Sequence, residues 1–158
     1  MDNSRKLFLS QQTFATLFSL ANKLQVNGNV YLKNFTVRQL MVMIAIIHLP
    51  EDEASLNNIA RKLGTSKQTV KQLVSLIERN GYVVTAPSRR DKRAVNVTIT
   101  PPGKQALFED NELGLKFFDQ LFHDFSLEEM EVLWNLLKKL YRFDGQEQDG
   151  FEEEINYQ

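Results

Sequence analysis

Residues 55–81 read SLNNIARKLGTSKQTVKQLVSLIERNG, and the spacing of their apolar positions decides the fold. Ser55 is placed to cap a helix whose stripe is Leu56, Ile59, Ala60 and Leu63, and Gly64 is placed to stop it. Only Thr65 then precedes Ser66, a second N-cap, which opens a helix with its stripe at Val70, Leu73, Val74 and Ile77. Gly81 ends that helix. Two amphipathic helices joined by a tight Gly-containing turn match the helix-turn-helix motif.

Downstream the period switches from helical to alternating. Tyr82 to Thr85 favour strand, Pro87 to Lys92 read as a polar turn, and Val95-Asn96-Val97-Thr98-Ile99 alternates, so a hairpin with a basic tip is predicted. Thr100 before Pro101 starts a further helix, with proline where its missing donor costs least. It runs to about His123, with Leu107, Leu115, Phe118, Leu121 and Phe122 apolar. Ser126 and Glu129 form a capping box for a last helix carrying Met130, Leu133, Trp134, Leu137, Leu140 and Tyr141. Upstream, residues 5 to about 25 are helical in spacing and are expected to break at Asn27-Gly28-Asn29. Thr36 and Gln39 form another capping box, with Phe35 and Leu40 as staple, for a helix to His48. That helix is apolar nearly all round and belongs at the centre of the fold. The acidic segment 144–158 reads as a mobile tail, although Phe151, Ile155 and Tyr157 are able to dock.

The 158 residues suit one domain, with 42% hydrophobic and 25% charged residues, the mix of a globular chain. Cysteine is absent, which excludes disulfides, thiolate metal sites, a Cys nucleophile and thiol redox sensing. The run Leu40–Leu49 is too short to span a bilayer. The N-terminal stretch has neither the apolar core nor the cleavage site of a signal peptide, so the sequons at Asn34 and Asn96 read as chance and a cytoplasmic location is expected. No membrane partner is expected.

The net charge of −1 conceals an asymmetry. Between Arg61 and Arg93 nine basic residues face two acidic ones, whereas Glu109 to Gln158 holds fourteen acidic against four basic. A concentrated basic segment suits a polyanion, because phosphate neutralisation with counterion release drives binding whatever the net charge. The alternative is a merely solvated face. On the second helix of the motif, Lys67, Gln68, Lys71, Gln72 and Ser75 lie opposite the apolar stripe, with Thr69 near the N-terminal end. Lys reaches phosphates or guanine acceptors and Gln pairs with adenine. The hairpin tip adds Arg89, Arg90, Lys92 and Arg93 around Asp91. Such a density of like charge repels itself unless an anion is present, and basic wings can follow a minor groove.

Taken together, Leu56 to Gly64, Ser66 to Val83 and the wing Arg90-Asp91-Lys92-Arg93 leading to Ile99-Thr100-Pro101-Pro102-Gly103 resemble the MarR-type transcriptional regulators. The wing matches that family's Asp-x-Arg, and the stretch after it matches Leu-Thr-x-x-Gly with Ile for Leu. The resemblance implies a mainly α fold with a small β-hairpin wing: a winged helix-turn-helix (36–100) flanked by N-terminal (1–35) and C-terminal (101–143) dimerisation helices. It further implies a homodimer on double-stranded DNA with a pseudo-palindromic operator, in the manner of a repressor. Ser66, Lys67, Gln68, Thr69, Lys71 and Gln72 would contact the major groove. Arg89 to Arg93 would form the wing contacts, Asp91 orienting or pairing with Arg93. The Phe- and Leu-rich end helices, richer than a small winged helix needs, agree with dimerisation. The resemblance also implies a small-molecule effector, to which no residue is assigned.

A catalytic role is not expected. His48 and His123 each fall near a helix C-terminus, where imidazole meets terminal carbonyls. No phosphate loop, dinucleotide fingerprint or nucleophile elbow occurs, and no metal or cofactor is expected. The acidic runs 51–53 and 152–154 read as solvated. The competing reading is a winged-helix protein-interaction module that no longer binds DNA specifically. The acidic tail is a candidate screen for the basic face.

Overall fold

The computed structural model describes residues 2–151. Six helices and one hairpin occur among them: α1 (Asp2–Asn29), α2 (Val37–His48), α3 (Leu56–Leu63), α4 (Lys67–Arg79), β1 (Val83–Pro87), β2 (Val95–Ile99), α5 (Pro101–Leu121) and α6 (Leu127–Tyr141). Short 3-10 turns cover Glu51–Glu53 and Arg142–Asp144.

The predicted caps form as read. Thr36 and Ser126 complete their capping boxes with Gln39 and Glu129, while Ser55, Ser66 and Thr100 each accept a backbone N–H in the first turn. Each such cap satisfies an orphan donor and contributes about 1 kcal/mol. The strands pair antiparallel from Val83↔Ile99 to Pro87↔Val95. Pro87 is therefore the last strand residue rather than part of the turn; its position at the end of an edge strand leaves no ladder donor missing. The Val97 amide donates to the Ala54 carbonyl at 2.8 Å, which ties the hairpin to the chain just before α3.

Helix α1 does not break at Asn27-Gly28-Asn29 but runs through it. Gly28 is buried there, and a Cβ on it would lie 2.6 Å from Val37 Cγ2 and 3.4 Å from the Phe117 ring. The glycine serves close packing on α2 and α5, while Asn29 Oδ1 accepts the Val37 amide at 2.7 Å. The signal read as a breaker is a contact.

Among the described residues the sixteen buried hydrophobic ones all lie between Phe35 and Leu107. They come from α2, α3, α4, both strands, the first turns of α5 and, at Phe35 and Ala54, the connections before α2 and α3, with α2 in the middle as its all-round apolar surface requires. The core thus continues past residue 100 into Ala106 and Leu107. Asp110, also on α5, is fully buried. It accepts the backbone N–H groups of Lys33, Asn34 and Phe35 at 2.8–3.1 Å. Three amide donors stabilise the buried carboxylate and bind α5 to the α1–α2 connection. Beside it the Asn34 side-chain amide, with help from Gln105 and Lys33, holds the Glu109 carboxyl below its ordinary 4.5.

Outside this lobe the helices are poorly covered. Apart from Gly28, neither α1 nor α6 has a buried residue. Phe8, Phe14, Phe18, Leu115, Phe118, Leu127, Val132, Leu136 and Leu140 all stand exposed. Phe8, Phe14, Phe18 and Phe118 are therefore not packed inside one chain.

Candidate nucleic-acid interface

The candidate surface begins at the turn between α3 and α4. Gly64 adopts a left-handed conformation, and Ser66 then starts α4, its Oγ accepting the Thr69 amide at 3.1 Å and lying 2.9 Å from Thr69 Oγ1. Ser66 and Thr69 are thus partly occupied in capping. The inward stripe of α4 is buried at Val70, Val74 and Ile77, which turns Lys67, Gln68, Lys71, Gln72 and Ser75 outward. The side chains of the lysines and glutamines of this face have no hydrogen-bond or ion-pair partner among the described residues, the Lys71 carbonyl accepting the Ser75 hydroxyl. Glu78, the acid on α4, lies 3.4 Å from the Thr85 hydroxyl, near the far end of the helix.

The wing is an ordered loop. The Ser88 amide donates to the Ala94 carbonyl and the Ala94 amide to the Asp91 carbonyl, both at 2.9 Å. Ser88 is buried, and its Oγ accepts the amides of Arg90 and Asp91 at 3.2 and 3.4 Å. Asp91 Oδ1 accepts the Arg93 amide at 3.0 Å, an Asx-type turn. Asp91 therefore fixes the Arg93 backbone; it forms no ion pair with the Arg93 guanidinium. These bonds leave Arg89, Arg90, Asp91, Lys92 and Arg93 exposed on a fixed turn. Among the described residues Arg90 alone of the four cations has an acidic partner, Glu53, at 3.0 Å.

Strand β1 packs on α4, and a groove lined by Lys71, Ser75, Glu78, Thr85 and Val95 runs between α4 and the hairpin. The eleven residues read from the sequence accordingly fall on two adjoining elements of one lobe.

Two contacts were not foreseen. Glu53 belongs to an acidic run read as solvated, and nothing in local sequence pairs it with a residue 37 positions away. Lys62 was counted with the basic segment, yet it is turned away from that surface and held by the tail: its ammonium lies 2.9 Å from Asp149. Gln148–Phe151 is thus seated on the lobe, and the described part of the tail, 144–151, makes no hydrogen bond or ion pair with the eleven candidate residues. Ile155 and Tyr157 lie outside the described residues. No group of His, Asp and Glu among the described residues is arranged to hold a metal ion, and no helix there is long and apolar enough to cross a membrane.

A helix-turn-helix followed by a basic hairpin and framed by exposed apolar helices defines the winged helix-turn-helix class. Residues 33–94 match the MarR family model. The chain is 27% identical to the transcriptional activatory protein BadR of Rhodopseudomonas palustris over 85% of this chain and 79% of that one. It is 25% identical to the transcriptional repressor MprA of Escherichia coli over 83% of this chain and 76% of that one. Among solved structures, the MepR–DNA complex of S. aureus superposes with a TM-score of 0.72 at 21% identity, covering 81% of this chain and 95% of that one. The fold is thus a winged helix-turn-helix, and its residues 33–94 are similar to the MarR family.

Proposed function

We propose that the chain is a transcriptional regulator that binds double-stranded DNA as a homodimer. In this reading each α4 enters a major groove, led by Ser66, Lys67, Gln68, Thr69, Lys71 and Gln72, and each wing lays Arg89 to Arg93 along the neighbouring minor groove. The observation that carries it is the set of exposed cations and glutamines on α4 and the wing, of which Arg90 alone, among the described residues, has an acidic partner, Glu53. That a protein of similar fold, MepR, has been solved in complex with DNA supports DNA as the partner. The broad uncovered apolar faces of α1 and α6 support the dimer, since soluble chains seldom leave such surfaces open to water. A two-fold dimer implies a pseudo-palindromic operator.

Acting as a repressor, it would cover a promoter; BadR and MprA carry opposite signs in their names, so the position of the operator decides between them. A small effector would act through different affinities for the DNA-competent and DNA-incompetent forms. A cleft of about 1620 Å³ bounded by α1, α3, α6 and the tail has room for one. The chain is read as a regulator without catalytic activity.

The test is binding to fragments of its own upstream region and to a genome-wide pool, across a salt series. Saturable binding that survives competitor DNA is expected. Arg90→Ala/Arg93→Ala should weaken it roughly tenfold or more and flatten the salt slope by about one per lost phosphate contact. An empty selection from the whole pool would transfer the chain to the protein-interaction reading.

A further inference from the structure

Lys62 sits one residue before the end of α3, and its side chain is only 6% exposed. A lysine so covered is costly unless its charge is compensated. The compensation comes from the far end of the chain. The ammonium donates to Asp149 Oδ1 at 2.9 Å and to the Gly150 carbonyl at 3.2 Å, and it lies 5.0 Å from the centre of the Phe151 ring. Phe151 in turn meets the ring of His48, at the end of α2, edge-on at 5.3 Å. That imidazole has its Nδ1 on the Ile44 carbonyl at 2.9 Å, and its Nε2 is buried without a partner, as expected beneath an apolar cover. Gln148 adds a bond from Nε2 to the Lys62 carbonyl at 3.4 Å, at the open C-terminus of α3. A little earlier in the chain, the Tyr141 hydroxyl lies 3.5 Å from the Arg61 carbonyl.

We propose that Gln148–Phe151 is a latch, an acidic–aromatic segment seated in a socket formed by Lys62, His48 and the C-terminus of α3. The segment follows α6, whereas the socket belongs to the helix-turn-helix lobe. The latch therefore ties the apolar end-helix framework to the lobe and holds the orientation at which α4 is presented. In a dimer that orientation sets the separation of the two recognition helices, and with it the tolerance for half-site spacing. This last consequence rests on the DNA-binding reading; the latch itself does not.

Two readouts on the full-length protein separate these parts. Hydrogen exchange is compared between wild type and Asp149→Ala/Phe151→Ala, with Lys62→Met as a second variant that keeps the buried stem but removes the charge. Amides of 144–151 and of the last turn of α3 should exchange at least about tenfold faster in both variants, with the buried face of α4 unchanged. Equal exchange overturns the latch. The second readout is affinity for the operator with its half-site spacing changed by one base pair in either direction. Wild type should discriminate several-fold more sharply than either variant. Equal discrimination despite faster exchange overturns the coupling and leaves the latch standing. If neither wild type nor variants bind any DNA, the regulator reading fails while exchange still decides on the latch.

Discussion

A methyl group on Gly103 would stand 2.0 Å from the Tyr82 carbonyl oxygen and 2.9 Å from its carbonyl carbon. Both are backbone atoms at the start of the wing, so no side chain can swing aside to make room. Next to it, the Thr100 hydroxyl donates to the Gly81 carbonyl at 2.6 Å and also accepts the Gly103 amide. The Thr-x-x-Gly pair thus clamps the first turn of α5 onto the chain as it leaves α4, and that close approach is the physical content of the motif. Gly103→Ala should destabilise the fold by about 1–3 kcal/mol, the usual cost of overpacking. Calorimetry would read this as a melting point several degrees lower, and an unchanged melting point would mean that the approach relaxes freely. The motif was legible in the sequence; Asp110 was not, because its amide partners are more than seventy residues away in the chain.

At the scale of elements, the wing shows how local sequence and long-range charge divide the work. The tight turn of Ser88, Asp91 and Ala94 is built from neighbours and follows from residue type. The direction taken by Arg90 is decided by Glu53, on the 3-10 turn before α3. Both partners are well exposed, so the pair contributes little to stability. Its effect falls on the availability of the arginine. Glu53→Gln should free Arg90 and tighten DNA binding up to about fivefold at low salt, with the gain vanishing as salt screens it. Weaker binding in the variant would mean instead that Glu53 holds Arg90 in its binding position. The same division explains the α1 boundary. Asn-Gly-Asn is a breaker by propensity, but packing of Gly28 against Val37 and Phe117 favours continued helix, and tertiary contact overrides local preference.

For the whole molecule, the core and the exposed apolar surface lie in different places. Buried hydrophobics occupy 35–107, whereas Phe18, Leu127, Val132 and Leu136 are between 57% and 69% exposed. A fifteen-residue helix such as α6 is marginal on its own in water, so its stability calls for a cover. Sedimentation should give a particle of twice 18.3 kDa at micromolar concentration. Val132→Glu/Leu136→Glu should shift it toward the monomer while the cooperative melting of the lobe persists, because neither residue touches the core. A wild-type monomer at high concentration would refute the dimer.

The sequence alone determined the helix-turn-helix, its caps and stripes, the basic hairpin and the face that α4 turns outward. All of these depend on periodicity and on residues within a few positions of one another, which local physics resolves. Tertiary structure decided what pairs distant positions: Asp110 with the α1–α2 connection, Glu53 with Arg90, and Lys62 with Asp149 and Phe151. It also seated Gln148–Phe151, within a segment read as a mobile tail whose Phe151 is able to dock, against Lys62 and His48. A charge or an aromatic ring reads in sequence as solvated or buried only on average. Which partner compensates it is settled when the chain closes on itself.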